Sequence, residues 1–567
     1  MADKVIVTNV TVLKEKYGAA GMKKIDGALK DLIAADKKRG LATSVVAIDN
    51  ATAMQKLKAK AVKNAASHRE NKEAIDGVYK ALAPDYLMIL GSIDVIPHQD
   101  LKNPLFSDDP EGDDEEFAES DLPYACDAPY SQKIKDFTGP TRVVSRLPDL
   151  TGAEGSPDYL LGLLETAATW KSLSRSDYDT YLGISADRWR ESTSESLKNI
   201  FNNDDDLQTS PKKGFKWSLS LMNRRVHFIN CHGGDTLPEF LGQHVTDDDD
   251  MPVSHQAAFV GVKGRIREGT VVAAECCFGA QLYDPSAVAK RQMGMCNTYL
   301  DKKAYGFFGS SNTAYGPESG NDQADLVCQY FIQRVLAGAS LGRAALEARQ
   351  RFIEKSSPLS PTNRKTLAQF NLFGDPSIVP VEKPTSKLAA PNTKGLPKGL
   401  TSMTVSGAPS AKAAQQAGAA ERAERRQILR AKGELLSRLQ PSMTKSASGP
   451  PKKVQTSMKK LMTELNYRPF GSVSYQVKSK PARSMKKGLA KAFAAKQQET
   501  TGFHLMFGKT ASQSASAKPS PKKKGGKGVA KKVLPTDFQK SRVRRFVVLE
   551  AKEVGGKIVA ITESHSK

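Results

Sequence analysis

Two stretches decide how this chain is read: Val226–Gly234, VHFINCHGG, and Val271–Ala280, VVAAECCFGA. Each is a short apolar run that stops abruptly at small or reactive residues. That is the pattern of a buried strand in a parallel sheet, whose chemistry sits at the carboxyl ends of the strands. The first run ends in Cys231, His232, Gly233 and Gly234, the second in Cys276, Cys277, Phe278 and Gly279. If the two strands are neighbours, an imidazole and a thiol meet at one sheet edge. A thiol with an ordinary pKa of ~8.5 is mostly protonated at neutral pH, and a nearby histidine raises its reactivity or carries its proton. Glycine after the histidine lets the backbone approach a substrate and offer an N–H to a developing oxyanion. His232 and Cys276 are 44 positions apart, which leaves room for one crossover connection. Either pair alone reads more readily as core or turn than as a catalytic site, because buried cysteine behaves as a small hydrophobe. Zinc is the other reading of Cys with His, but the chain has no CxxC knuckle and vicinal cysteines rarely ligate one ion together, so no metal is expected.

Outward from these stretches, the first 380 residues alternate between strand and helix patterns. Val5–Val10, Ser44–Ile48, Tyr86–Leu90, Arg142–Ser145, Tyr181–Ile184 and Ala304–Phe308 read as strands. Lys14–Lys38, Asn71–Leu82, Asp158–Ser172 and Ser194–Phe201 have helical spacing. Such βαβ alternation implies an α/β fold with a mostly parallel sheet covered by helices on both faces. Three acidic clusters, Asp108–Glu116, Asp204–Asp206 and Asp247–Asp250, interrupt it; none has the spacing of an EF-hand loop, so they read as solvated surface loops.

Length and charge set the wider frame. A chain of 567 residues with 39% hydrophobic and 26% charged residues holds a sizeable globular part and a segment poorer in core formers. Residues 381–567 carry 39 Lys and Arg against 10 Asp and Glu, whereas residues 1–380 carry 45 against 51. The net charge of +23 therefore belongs to a basic tail on a mildly acidic body. The longest apolar runs, such as YLMIL at 86–90, fall far short of a membrane span. The N-terminus shows no secretory pattern, and six cysteines are too few for a disulfide scaffold, so reduced thiols and a cytoplasmic setting are expected. In the tail, Ala419–Leu439 reads as an amphipathic helix with the stripe Ile428, Leu435, Leu436 and Leu439. Arg545–Thr562 reads as a β-hairpin about a Gly-Gly turn, and the rest is low-complexity and largely disordered in composition.

The ordered pair of strands resembles the caspase-like clan of cysteine peptidases, and more closely its gingipain-like family. Four further blocks carry the likeness: Pro84–Pro97 (PDYLMILGSIDVIP), Ser120–Cys126 (SDLPYAC), Arg142–Pro148 (RVVSRLP) and Phe370–Pro376 (FNLFGDP). Gly91-Ser92 stands where that family has Gly-Asp. The resemblance covers roughly residues 1–380 and implies a caspase-like three-layer sandwich (151–385), preceded by a smaller α/β subdomain (1–150). A basic linker with short helices (386–535) and a terminal hairpin (536–567) follow. It implies a thiol endopeptidase acting on protein substrates without a cofactor. His232 matches the family's histidine and Cys276 its nucleophile by the Cys-x-x-Gly spacing. Cys277 is the fallback by the Cys-x-Gly spacing, and the Gly233 N–H completes an oxyanion hole. It also implies dependence on the P1 side chain, where an acid would select Arg or Lys. Tyr315 stands where an aromatic lines the P1 site, Glu318 and Asp322 lie close by, and Asp187 and Glu191 follow the strand that supplies the pocket acid in arginine-specific members.

The tail leaves alternatives open. A zymogen could block its own cleft until the tail is processed at bonds such as Arg425-Arg426 or Arg544-Arg545, by itself or by an upstream protease. The same basic charge would bind nucleic acid or an acidic partner. The competing readings of the whole chain are an inactive scaffold and a nucleic-acid-associated protein.

Overall fold

A computed structural model describes residues 2–108, 112–210, 217–245, 251–356, 359–382, 411–440, 442–445, 452, 456, 470–478, 502–510, 546–554 and 557–567. Its centre is a ten-stranded sheet in the order Thr43–Ala47, Lys4–Thr8, Tyr86–Leu90, Val144–Leu147, Phe370–Phe373, Gly306–Ser310, Val271–Ala274, Val226–Asn230, Tyr181–Ser185 and Leu207–Thr209. All neighbours are parallel except Phe370–Phe373 against Gly306–Ser310. Alternate residues face opposite layers, as a strand demands. Val272 and Ala274 join one apolar cluster, and Val271 and Ala273 join the other. Both faces are therefore buried, and the strands read as continuous apolar runs instead of alternating ones. This is the α/β sandwich that the spacing predicts.

The boundary at residue 150 falls within this one sheet. Strands from either side of it meet through Phe370–Phe373, which pairs with Gly306–Ser310 on one edge and with Arg146 on the other. Two of the sequence blocks turn out to be electrostatic partners. Arg146 donates to Asp121 from Nε at 2.9 Å and from Nη2 at 2.6 Å, both residues being buried. Burial pushes the Asp121 carboxyl up, but Arg146 and His98 more than offset this and hold it well below the ordinary range. In the closing block, Asp375 pairs with the buried Lys4, which also meets Asp36 at 3.0 Å.

The acidic clusters differ in fate. Asp113 and Glu115, expected in solvent, are held by the buried Lys365 and form a polar support behind Tyr315. Asp204–Asp206 stays at the surface, and Asp247–Asp250 lies outside the described residues. The tail helix spans Ala411–Leu439 and buries Leu436 of the expected stripe, joined by Leu429 in place of Ile428 and Leu435. Leu429 and Leu436 are buried, whereas Ile428 and Leu435 are 56% and 38% exposed. The reason is Gly433, where a Cβ would come 2.3 Å from the Pro140 carbonyl oxygen. The helix lies against the body along Leu429, Gly433 and Leu436. Arg422 and Arg426 of the same helix pair with Asp85. Arg425-Arg426 is thus helical, and Arg544-Arg545 lies outside the described residues.

The hairpin pairs Phe546–Val554 with Lys557–Ser566, longer than its apolar pattern alone marks; its Gly-Gly turn lies outside the described residues. Two strands alone are marginal, and these sit in a six-stranded antiparallel sheet. Gly502–Thr510, Phe470–Lys478 and Ser442–Lys445 extend it on one side. On the other, Lys557–Ser566 pairs with Tyr315–Gly316 of the body. Among the described residues no helix is long and apolar enough to cross a membrane.

Candidate active site

Val226–Asn230 and Val271–Ala274 are adjacent and parallel, with Ile229 opposite Ala274. Their carboxyl ends thus bring His232 and Cys276-Cys277 to one edge of the sheet. After Asn230 the chain leaves the sheet, and His232 makes a bridge to Leu241 through two backbone bonds of 2.8 Å. The His232 ring stands edge-on to Trp189 at 4.6 Å, and its Nε2 is 2.7 Å from Gln243 Oε1. An amide oxygen only accepts, so Nε2 carries the proton and Nδ1 the lone pair. Gly233 is a glycine by necessity: a Cβ there would lie 1.8 Å from the Cys277 carbonyl oxygen. The two cysteines part at the turn. Cys276 belongs to one apolar layer, its sulfur 3.8 Å from the Ile229 carbonyl. Cys277 points to the other face, where its sulfur meets the Ala314 N–H at 3.2 Å. Phe278 follows with φ +52°, a left-handed turn that closes the loop. Burial pushes the Cys277 thiol up to about 12 and the Cys276 thiol well above its ordinary value.

Against this edge lies Lys567. The Cys277 N–H donates to the Lys567 carbonyl oxygen at 3.0 Å, and the Lys567 N–H donates to the Ala314 carbonyl at 3.0 Å. Ser566 and His565 pair antiparallel with Tyr315 and Gly316. The Lys567 side chain enters a closed pocket, where its ammonium donates to Glu275 Oε2 at 2.8 Å and Asp325 Oδ2 at 2.7 Å, above the Trp189 ring. Both carboxylates are fully buried. Asn230 Nδ2 donates to the other Asp325 oxygen at 3.2 Å and fixes its orientation. Burial, then Asp325, push the Glu275 carboxyl well above its ordinary range, and Lys567 pulls it only part of the way back. Burial alone would lower the Lys567 ammonium; the two carboxylates outweigh it and raise it. Gly316 opens the way in, since a Cβ there would stand 2.1 Å from Lys567 Cε.

The five residues read from sequence as pocket candidates are placed as follows. The Tyr315 backbone forms the rim of the groove, while its ring turns inward and its hydroxyl donates to Asp113 at 2.9 Å. Glu318 is at the mouth, paired with Arg188 and 3.2 Å from His565. Asp322 caps the helix Gln323–Leu336 through the Gln323 N–H at 2.8 Å. Asp187 accepts from the Val245 N–H at 3.3 Å, and Glu191 is exposed on the first turn of the helix Arg190–Phe201. The carboxylates on the ammonium are Glu275 and Asp325, which sequence reasoning passed over. The signal was present: a lone acid at the end of the apolar run VVAAE, and another in the first turn of the apolar helix QADLVCQYFIQRVL. Gln243, Trp189 and Gly316 have no comparable sequence mark. Among the described residues no cluster of three or more His, Cys, Asp or Glu is arranged to hold a metal ion.

Residues 252–381 match the model of peptidase family C25, a span that holds both cysteines, the Tyr315–Gly316 rim and Asp325 but not His232. No curated protein matches the chain. Among solved structures, one titled "Structure of Protease" is 14% identical over 66% of this chain and 78% of its own, with a TM-score of 0.41. The separase–securin complex of Saccharomyces cerevisiae is 10% identical over 42% of this chain and 14% of its own, with a TM-score of 0.24. The C25 match thus lies over the cysteine edge of an α/β sandwich, and in residues 252–381 the chain is similar to a family of cysteine peptidases.

Proposed function

We propose that this peptidase uses Cys277 as nucleophile and His232 as proton carrier, and cleaves after a basic residue. The observation that carries the reading is a lysine seated beside Cys277, its carbonyl on the Cys277 N–H and its ammonium between two buried carboxylates. Sequence spacing favours Cys276. The geometry favours Cys277, because its own N–H meets that carbonyl and its sulfur lies on the same face as the Ala314 rim. In the reaction the thiol proton passes to His232 Nδ1 and the thiolate attacks the scissile carbonyl carbon. A C–S bond forms and the carbonyl π pair moves onto oxygen, where the Cys277 N–H stabilises it. Collapse breaks the C–N bond, and His232 gives its proton to the leaving amine. Water then attacks the thioester, its proton going to His232. The C–S bond breaks, releasing the acid and restoring the thiol. Gln243 fixes the tautomer that makes Nδ1 the acceptor.

A panel of fluorogenic peptides differing only at P1, assayed with wild type, Cys277→Ala and Cys276→Ala, tests this. Hydrolysis is expected after Lys and Arg, lost by about 10³-fold or more in Cys277→Ala and kept within several-fold in Cys276→Ala. Full activity in Cys277→Ala overturns the assignment.

A further inference from the structure

The chain places its own segment in the groove that a substrate would use. Resting on the peptidase reading, we propose that Ser564–Lys567 is an internal occupant of the non-primed side of the cleft, which keeps the enzyme closed until the hairpin is displaced. Four independent contacts define the register. The strand adds antiparallel to Tyr315–Gly316, the way extended peptides bind an exposed edge. The Lys567 backbone is bonded at both ends, to the Ala314 carbonyl and the Cys277 N–H. Its side chain fills the acidic pocket. Further back, Ser564 meets Gln323 and His565 reaches Glu318. Together these assign Lys567 to the P1 position, Ser566 to P2, His565 to P3 and Ser564 to P4.

The hairpin is held independently of this strand, so occupancy does not rest on four residues alone. Phe546 and Val548 pack with Leu105 and Tyr315. Glu550, buried, accepts from the Thr362 N–H at 3.1 Å and from its hydroxyl at 2.7 Å. The strands belong to the same chain as the groove, so the occupant acts as an intramolecular ligand at high effective concentration. A peptide substrate must outcompete it. While the strand is in place Cys277 is only 2% exposed, and burial keeps its thiol in the protonated, unreactive form.

The test uses the full chain and two readouts. Lys567→Glu puts a carboxylate against Glu275 and Asp325, which expels the strand without touching His232 or Cys277. We expect alkylation of Cys277 by iodoacetamide, mapped by mass spectrometry, to accelerate at least tenfold, and hydrolysis of a P1-lysine peptide to rise in parallel. The synthetic hexapeptide TESHSK, residues 562–567, added to the variant should slow both again, competitively with substrate. Unchanged alkylation and hydrolysis in Lys567→Glu overturn the inference and leave the peptidase reading standing. Faster alkylation, reversed by the hexapeptide, with no hydrolysis by either chain supports the occupancy and removes the peptidase reading. Lys567→Met, which keeps the side-chain length, guards against a folding defect: its thermal unfolding should match wild type more closely than that of Lys567→Glu, and its alkylation should also rise.

Discussion

The two carboxylates of the lysine pocket should not behave as independent partners. Each takes one charge-assisted hydrogen bond from the ammonium, at 2.8 and 2.7 Å, and such a bond contributes about 1.5–3 kcal/mol net. Glu275 is raised well above its ordinary value, first by burial and then by Asp325, so the two carboxylates act on one another as well as on the ammonium. Asp325→Asn removes one of the two charged acceptors and leaves Glu275 to hold the ammonium. The single variant should lose about 1.5–3 kcal/mol, or ~10- to 150-fold in kcat/KM for a P1-lysine peptide. Joining Glu275→Gln to it leaves the ammonium with no counter-charge in a closed site, which costs about 3–5 kcal/mol, or ~150- to 4,000-fold. Glu275→Gln alone leaves Asp325, oriented by Asn230, to hold the ammonium, with a loss in the same range. The readout is the ratio of kcat/KM for matched peptides with lysine or norleucine at P1. An occupant that competes with both substrates cancels from that ratio. A ratio within threefold of wild type in the double variant refutes the pocket assignment; strictly additive losses refute the coupling of the two carboxylates.

Three further outcomes follow from other sites. Gln243→Leu frees the His232 tautomer, and kcat should fall about tenfold or more with KM little changed; equal changes in both would mean that Gln243 merely shapes the groove. His227 and His255 are buried around Tyr299, whose hydroxyl is 2.8 Å from His227 Nδ1 and 2.7 Å from His255 Nε2, and burial lowers their pKa values to about 4 and about 3. Below the ordinary histidine pKa of about 6.5 the unfolded chain takes up protons that the folded chain refuses. Stability should therefore fall from about pH 6.5 downward, and urea unfolding of His255→Gln should show a shallower decline between pH 6.5 and 4. Arg146→Met leaves Asp121 buried without its strongest counter-charge and should cost about 3–5 kcal/mol in denaturant unfolding, whereas a loss below 1 kcal/mol would mean that water takes the arginine's place.

Much of this was legible in the chain because burial on both faces leaves a plain mark. VHFIN, VVAA and YLMIL are apolar at every position, and so were readable as strands of a covered parallel sheet. The abrupt ends of two of them placed His232 and the cysteines correctly at one edge. The choice between Cys276 and Cys277 was not legible, because consecutive side chains face opposite layers and spacing to a glycine fits either. Glu275 and Asp325, the carboxylates on the Lys567 ammonium, were not legible for a related reason. Loop acids such as Asp187 and Glu318 look free to meet a ligand, whereas Glu275 and Asp325 lie in apolar company and read as core exceptions. Lys567 could not be placed at all, since its partners Glu275 and Asp325 are some 290 and 240 residues away along the chain.

The strand Phe370–Phe373 has a consequence for how the molecule is made. It is the wedge between four strands formed from the first 147 residues and five formed from residues 181–310. Until it emerges from the ribosome, each half-sheet exposes a raw hydrogen-bonding margin of the sort that invites mispairing. Those halves can therefore be zipped together only after residue 373 has been made, and contacts so distant in sequence make for slow folding. A premature stop before residue 370 should yield not a smaller working enzyme but one sticky chain with two unjoined half-sheets.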